Sequence, residues 1–114
     1  MKQTVTTPIN PNDAVDFIIA SAKPYAQAKA NRIYLEEFRK SKKALLMQKS
    51  GSTAIAAKEM DAYADPDYLQ LLEGLREAVE TEEGLRWRMV AAQARIEVWR
   101  TNEASNRSTD RATR

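Results

Sequence analysis

Among the chain's 114 residues there is no cysteine and no histidine. The first absence removes disulfides and thiolate nucleophiles, the second removes the commonest general base, and together they remove most zinc sites. Serine or carboxylate chemistry would have to work without its usual partner, so no enzyme, no catalytic residue, no cofactor and no metal are expected. Glycine is nearly missing, with three residues, and proline has four. So little turn chemistry, with 30% charged residues and abundant Ala, Leu, Glu, Lys and Arg, points to an all-α protein. Nowhere is there a run of about 18 apolar residues, and the opening "MKQTVTTPINPND" has no apolar stretch of the signal-peptide kind. A cytoplasmic protein without membrane contact is expected.

What is present is charge, and it is sorted. The net charge of +2 combines +6 over residues 23–50, −7 over 58–83 and +4 over 84–114, with −1 from the first 22 residues. A chain that runs basic, acidic, basic can pair with itself, within one hairpin or between copies.

Helix signals divide the chain. In "INPND", Asn10 is an N-cap, Pro11 takes the first helical position and Asp13 sits in the first turn, where the helix dipole favours an acid. Val15, Ile18, Ile19 and Ala22 follow a helical period, and Pro24 then removes an amide donor, which predicts a kink or break. The apolar pattern resumes through Ala26, Ala30, Ile33, Tyr34, Phe38, Leu45 and Leu46. In "KSGST", Gly51 suits a left-handed C′ position, and Ser52 or Thr53 can cap a short helix, "TAIAAKEMDAYA". That helix should stop at Asp65, because a residue before proline leaves the helical region; Asp65 then caps a long helix from Pro66 to about Ala104. The expected organisation is a disordered 1–10, one elongated, coiled-coil-like helical-hairpin domain over 11–104 and a disordered tail over 105–114.

The long helix carries a heptad. Leu71, Leu75, Ala78, Glu82, Leu85, Met89, Ala92, Ile96 and Trp99 succeed one another at alternating steps of four and three. Glu82 alone breaks the apolar rhythm, either fixing register or marking where the seam opens, and Gly84 beside it favours opening. Glu82 is also spaced to pair with Arg86, and Glu73 with Arg76. On a wheel of about 100° per residue, Trp87, Val90, Ala91, Ala94 and Val98 form a second apolar stripe nearly opposite the first, with Arg88 and Arg95 on one ridge between them and Arg86, Glu97 and Arg100 on the other. One hairpin partner covers only one side of such a helix.

The candidate interface is therefore Leu85, Trp87, Met89, Val90, Ala94, Ile96, Val98 and Trp99, with a homo-oligomer, a dimer first, as the expected assembly. Tryptophan beside arginine could also hold single-stranded nucleic acid by stacking and phosphate contact, but both tryptophans stand in complete apolar stripes, which favours helix packing. Arg39, Lys40, Lys42, Lys43 and Lys49 are the candidate nucleic-acid contacts, weighed against a solvated face that complements the acidic segment. Asp61, Asp65 and Asp67 lie close in sequence, yet the glycine and distal glutamate of an EF-hand loop are missing, and capping accounts for the last two.

"YLEEFRKSKKALLMQKS", "AYADPDYLQLLEGLREAVE" and "LRWRMVAAQARIEVWRTNEASNR" resemble a group of small helical proteins of tailed bacteriophages and prophages, over roughly residues 30–107. The resemblance implies a bacterial cytoplasm and a role in phage DNA metabolism or assembly; it implies no catalytic residues. The expectation is a non-enzymatic phage accessory factor that acts through a phage or host protein partner in DNA replication or recombination, with direct DNA binding or a scaffold role in assembly as alternatives.

Overall fold

Asn10 begins the first helix, as its chemistry predicts. Its side-chain oxygen accepts hydrogen bonds from the backbone N–H of Asn12 at 2.9 Å and of Asp13 at 3.4 Å, satisfying donors that the first helical turn leaves open. The computed structural model describes residues 10–113, and over them the chain forms three helices, α1 (Pro11–Lys49), α2 (Ile55–Ala64) and α3 (Pro66–Ala112). Apart from Asn10, the disordered segment expected at 1–10 lies outside the described residues.

Pro24 does not end α1, which continues to Lys49. The residue is exposed, so the one backbone bond it removes faces water, and the flanking turns hold the helix through it. At the far end Gly51 is not left-handed, and among the described residues no glycine has positive φ. Instead the Ser50 N–H reaches back to the Met47 carbonyl at 3.2 Å. Nor does Ser52 or Thr53 cap α2; Ala54 precedes it in extended conformation without a side-chain bond. Asp65 behaves as expected, leaving the helical region before Pro66 and accepting the Asp67 N–H at 2.8 Å, so one residue ends α2 and starts α3. The last helix runs past Ala104 to Ala112, through the segment expected to be disordered, with its side chains beyond Glu103 exposed.

The contacts divide the chain into two units. The larger is the hairpin of Pro24–Gly84. Its α3 seam is the predicted one: Ala78 and Glu82 are buried, and Leu71 and Leu75 half-buried. Facing it, α1 turns in Tyr25, Ala28, Arg32, Leu35, Lys42 and Leu46, at heptad steps interrupted at Arg39. Most of the apolar residues read as this helix's pattern point outward instead: Ile33, Tyr34 and Leu45 are exposed, as are Ala26 and Ala30. At the turn end Leu46, Ala62 and Tyr68 form a small core with Met47 against it, and Tyr63 meets Tyr68 edge-to-face at 5.3 Å between ring centres.

The second unit joins the stretch of α1 up to Lys23 with α3 from Leu85 onward. Ala14, Ser21 and Ala92 are buried here, and Ile18, Leu85, Met89 and Ile96 half-buried. Val15, Ile19 and Ala22 are exposed. Among the described residues no helix is long and apolar enough to cross a membrane.

Candidate interaction surface

Segregated charge becomes geometry in the larger hairpin. Arg32, from the basic stretch of α1, turns into the seam and grips Glu82 with both arms: Nε donates to Oε1 and Nη2 to Oε2 at 3.3 Å, while Nη1 reaches Glu36 at 3.0 Å in its own helix. The seam therefore does not open at Glu82. Glu82 is buried with 5% of its surface exposed, and it pairs with Arg32 across the hairpin. Hydrogen bonding to Glu82 raises the Arg32 pKa above even its ordinary high value, so the guanidinium stays charged. A desolvated ion pair adds little net stability but strongly disfavours registers that leave one charge alone, so this pair sets how α1 and α3 align. Sequence reasoning flagged Glu82 as the odd residue but missed Arg32. The available signal was that Arg32 falls on a heptad position of α1.

The five cations proposed for nucleic acid separate. Lys42 and Lys43 turn toward the acidic segment, Lys42 lying 3.9 Å from Asp67 and Lys43 2.9 Å from Glu59. The Lys43 ammonium also sits 4.8 Å above the Tyr63 ring, and Tyr63 and then Glu59 raise its pKa beyond the usual lysine range. Lys40 pairs with Glu37 along the surface at 3.4 Å. Arg39 and Lys49 are exposed and make no ion pair among the described residues. A shallow hollow of about 420 Å³ lies beside Lys42, lined by Phe38, Asp67, Gln70, Leu71 and Gly74 as well.

The three aspartates of "DAYADPD" do three separate things. Asp61 accepts the hydroxyls of Ser50 at 2.6 Å and Ser52 at 2.8 Å, which hold its pKa below the ordinary value, while Asp65 caps α3 and Asp67 pairs with Lys42. Among the described residues no group of three or more His, Cys, Asp or Glu side chains could hold a metal ion.

The interface residues predicted on α3 divide by face. Leu85, Met89 and Ile96 are half-buried and belong to the unit's own seam; Trp99, at the end of that seam, keeps 37% of its surface exposed. The second stripe is uncovered: Trp87 is 57% exposed and Val98 48%, with Val90, Ala91 and Ala94 also open to solvent. The Arg86 guanidinium stacks 4.5 Å from the Trp87 ring centre, and Arg100 pairs with Glu97 at 3.3 Å. Arginine thus rims a continuous apolar strip that nothing in its own unit covers.

A second open face went unread in the sequence. In the larger hairpin, Leu69, Leu72 and Val79 of α3 are exposed among Glu73, Glu77 and Glu80. Glu73 pairs with Arg76 at 2.8 Å, as its spacing predicts, and its pKa is lowered by that guanidinium.

Compared with known proteins, the chain matches no family model, no curated protein and no solved structure.

Proposed function

We propose that this is a non-enzymatic helical interaction protein that works by docking a protein partner on the α3 stripe running from Trp87 to Val98. The observation that carries the reading is Trp87, an indole with more than half its surface in water at the head of an unbroken apolar strip. Exposed strips of that kind, rimmed by charge, are where soluble proteins meet partners, because covering them releases apolar surface from water. The bacteriophage setting, a partner in DNA replication or recombination, rests on the sequence resemblance alone.

Direct DNA contact through residues 39–49 has less support, since two of its five cations, Lys42 and Lys43, are engaged by acids of the same hairpin. The test is a photoreactive side chain in place of Val90, activated in bacterial cells producing the protein. Covalent adducts to protein that disappear in the Trp87→Glu background are expected. Adducts to nucleic acid alone would overturn protein docking on this stripe, and no adduct at all would remove the stripe as a contact surface.

A further inference from the structure

Resting on that reading of the stripe, we propose that its occupant is an acidic amphipathic helix of a partner protein, laid along α3 with its acids against Arg88 and Arg95. The whole surface lies between Leu85 and Arg100, inside one unit. Over these residues the chain holds four arginines against one glutamate. The two flanks of the apolar strip share that charge unequally. On one, Glu97 pairs with Arg100 at 3.3 Å and the Arg86 guanidinium stacks on the Trp87 ring. On the other, Arg88 and Arg95 are exposed one heptad apart, and no acid of residues 85–100 shares their row.

Charge selects among the occupants. A second copy docking by the same stripe sets arginine against arginine, and a basic partner meets the same repulsion, whereas an acidic one gains attraction along the strip. Nucleic acid offers the right charge but the wrong contacts. Bases held by stacking need successive aromatic faces, and the strip carries one ring, Trp87, followed by Val90, Ala91, Ala94 and Val98.

Spacing and shape then select a helix. Arg88 and Arg95 are separated by about 10 Å along the axis, the rise of one heptad, so acids one heptad apart on a second helix lie level with both. From Trp87 to Val98 the strip is about 16 Å long, or about three turns. Ala91 and Ala94 leave it low between the indole and Val98. A leucine-sized side chain of an incoming helix fits over the two alanines, in the way that an amphipathic helix seats its apolar anchors in a groove.

The test uses the full chain and two labelled synthetic helical peptides, each about four turns long with leucines on one face. The first carries a row of glutamates beside that face, the second a row of lysines. By fluorescence anisotropy the glutamate peptide is expected to bind about tenfold or more tighter than the lysine peptide, with a Kd that rises with salt. Trp87→Glu should abolish its binding. Arg88→Glu/Arg95→Glu should reverse the preference with helical content retained by circular dichroism; if that variant unfolds, Arg88→Gln/Arg95→Gln should remove the preference instead. Equal Kd values for the two peptides, or no binding of either, overturn the acidic helix. Tighter binding of a single-stranded oligonucleotide than of either peptide, lost in Trp87→Glu, would overturn it in favour of nucleic acid. Protein adducts from position 90 alongside indifference to the peptides would discard the acidic partner and keep the stripe as a docking surface, and adducts to a second copy of this chain would put that copy in the partner's place.

Discussion

The hairpin between Pro24 and Gly84 and the unit formed by the ends of α1 and α3 use the same helices but bury different things. In the hairpin, Leu46, Ala62 and Tyr68 make a core, aromatic rings meet at the turn and a buried carboxylate pairs with a half-buried arginine. Among the described residues of the other unit the buried ones are Ala14, Ser21 and Ala92, while Ile19 and Trp87 face water. Small residues in a seam let two helices approach but bury little apolar area, so stabilisation of that kind is weaker there.

The largest expected effect tests that division directly. Leu46→Ala removes a side chain that is 4% exposed and should cost about 3 kcal/mol, whereas Ile96→Ala in the other seam, only half-buried, should cost about 1 kcal/mol. Urea unfolding of the two variants measures the difference; equal losses would erase the contrast between the units. Next in size is the ion pair. Glu82→Leu leaves Arg32 in the seam without its main partner and should lower Tm by several degrees, while Arg32→Leu/Glu82→Leu should regain most of the loss, because an apolar pair replaces a desolvated ionic one at little cost. A double variant as unstable as the single would mean that packing at Glu82, not charge, is what the seam needs there.

How far the sequence could be read follows the same contrast. The α3 seam was legible because Leu71, Leu75, Leu85, Met89 and Ile96 keep a strict heptad, and the outer stripe was legible because Trp87, Val90, Ala94 and Val98 stand together on the wheel. The seam of α1 was not, because hydrophobicity and burial part company there. Its inward set includes Ser21, Arg32 and Lys42, while Ile19, Ile33, Tyr34 and Leu45 stay outside. A polar residue becomes a seam residue only when the facing helix supplies its partner, and that pairing spans 50 residues between Arg32 and Glu82. Charge segregation announced that segments would pair; which side chains did so depended on a register that segment sums do not contain. The helical tail was missed for a related reason. Residues 105–112 have almost no apolar pattern to read, and the helix there continues from α3 without burying its side chains.

Smaller effects belong to the corner that holds the hairpin's turn. Asp65→Ala should cost about 1 kcal/mol by removing the acceptor for the Asp67 N–H, and Asp65→Asn should retain most of it. Amide exchange would place the loss at the start of α3; protection lost equally from Leu85 onward would show the two units to be one cooperative block.

The smallest effect is the most specific, because it appears only in acid. The Ser50 hydroxyl and then the Ser52 hydroxyl donate to Asp61 and lower its pKa below the ordinary 3.8. A carboxyl whose pKa is lower in the folded than in the unfolded chain binds fewer protons when folded. Its contribution is therefore complete above 3.8 and is lost as pH falls through the depressed value. Asp61→Asn should make the protein slightly less stable than wild type at neutral pH, with the difference closing below about pH 4 and vanishing once Asp61 itself is protonated. Urea midpoints at pH 7, 4 and 2.5 follow the closure. A difference that stays constant across that range would assign the corner's stability to the shape of the side chain instead of its charge, and would take from the hairpin an acid-sensitive clasp between the end of α1 and α2.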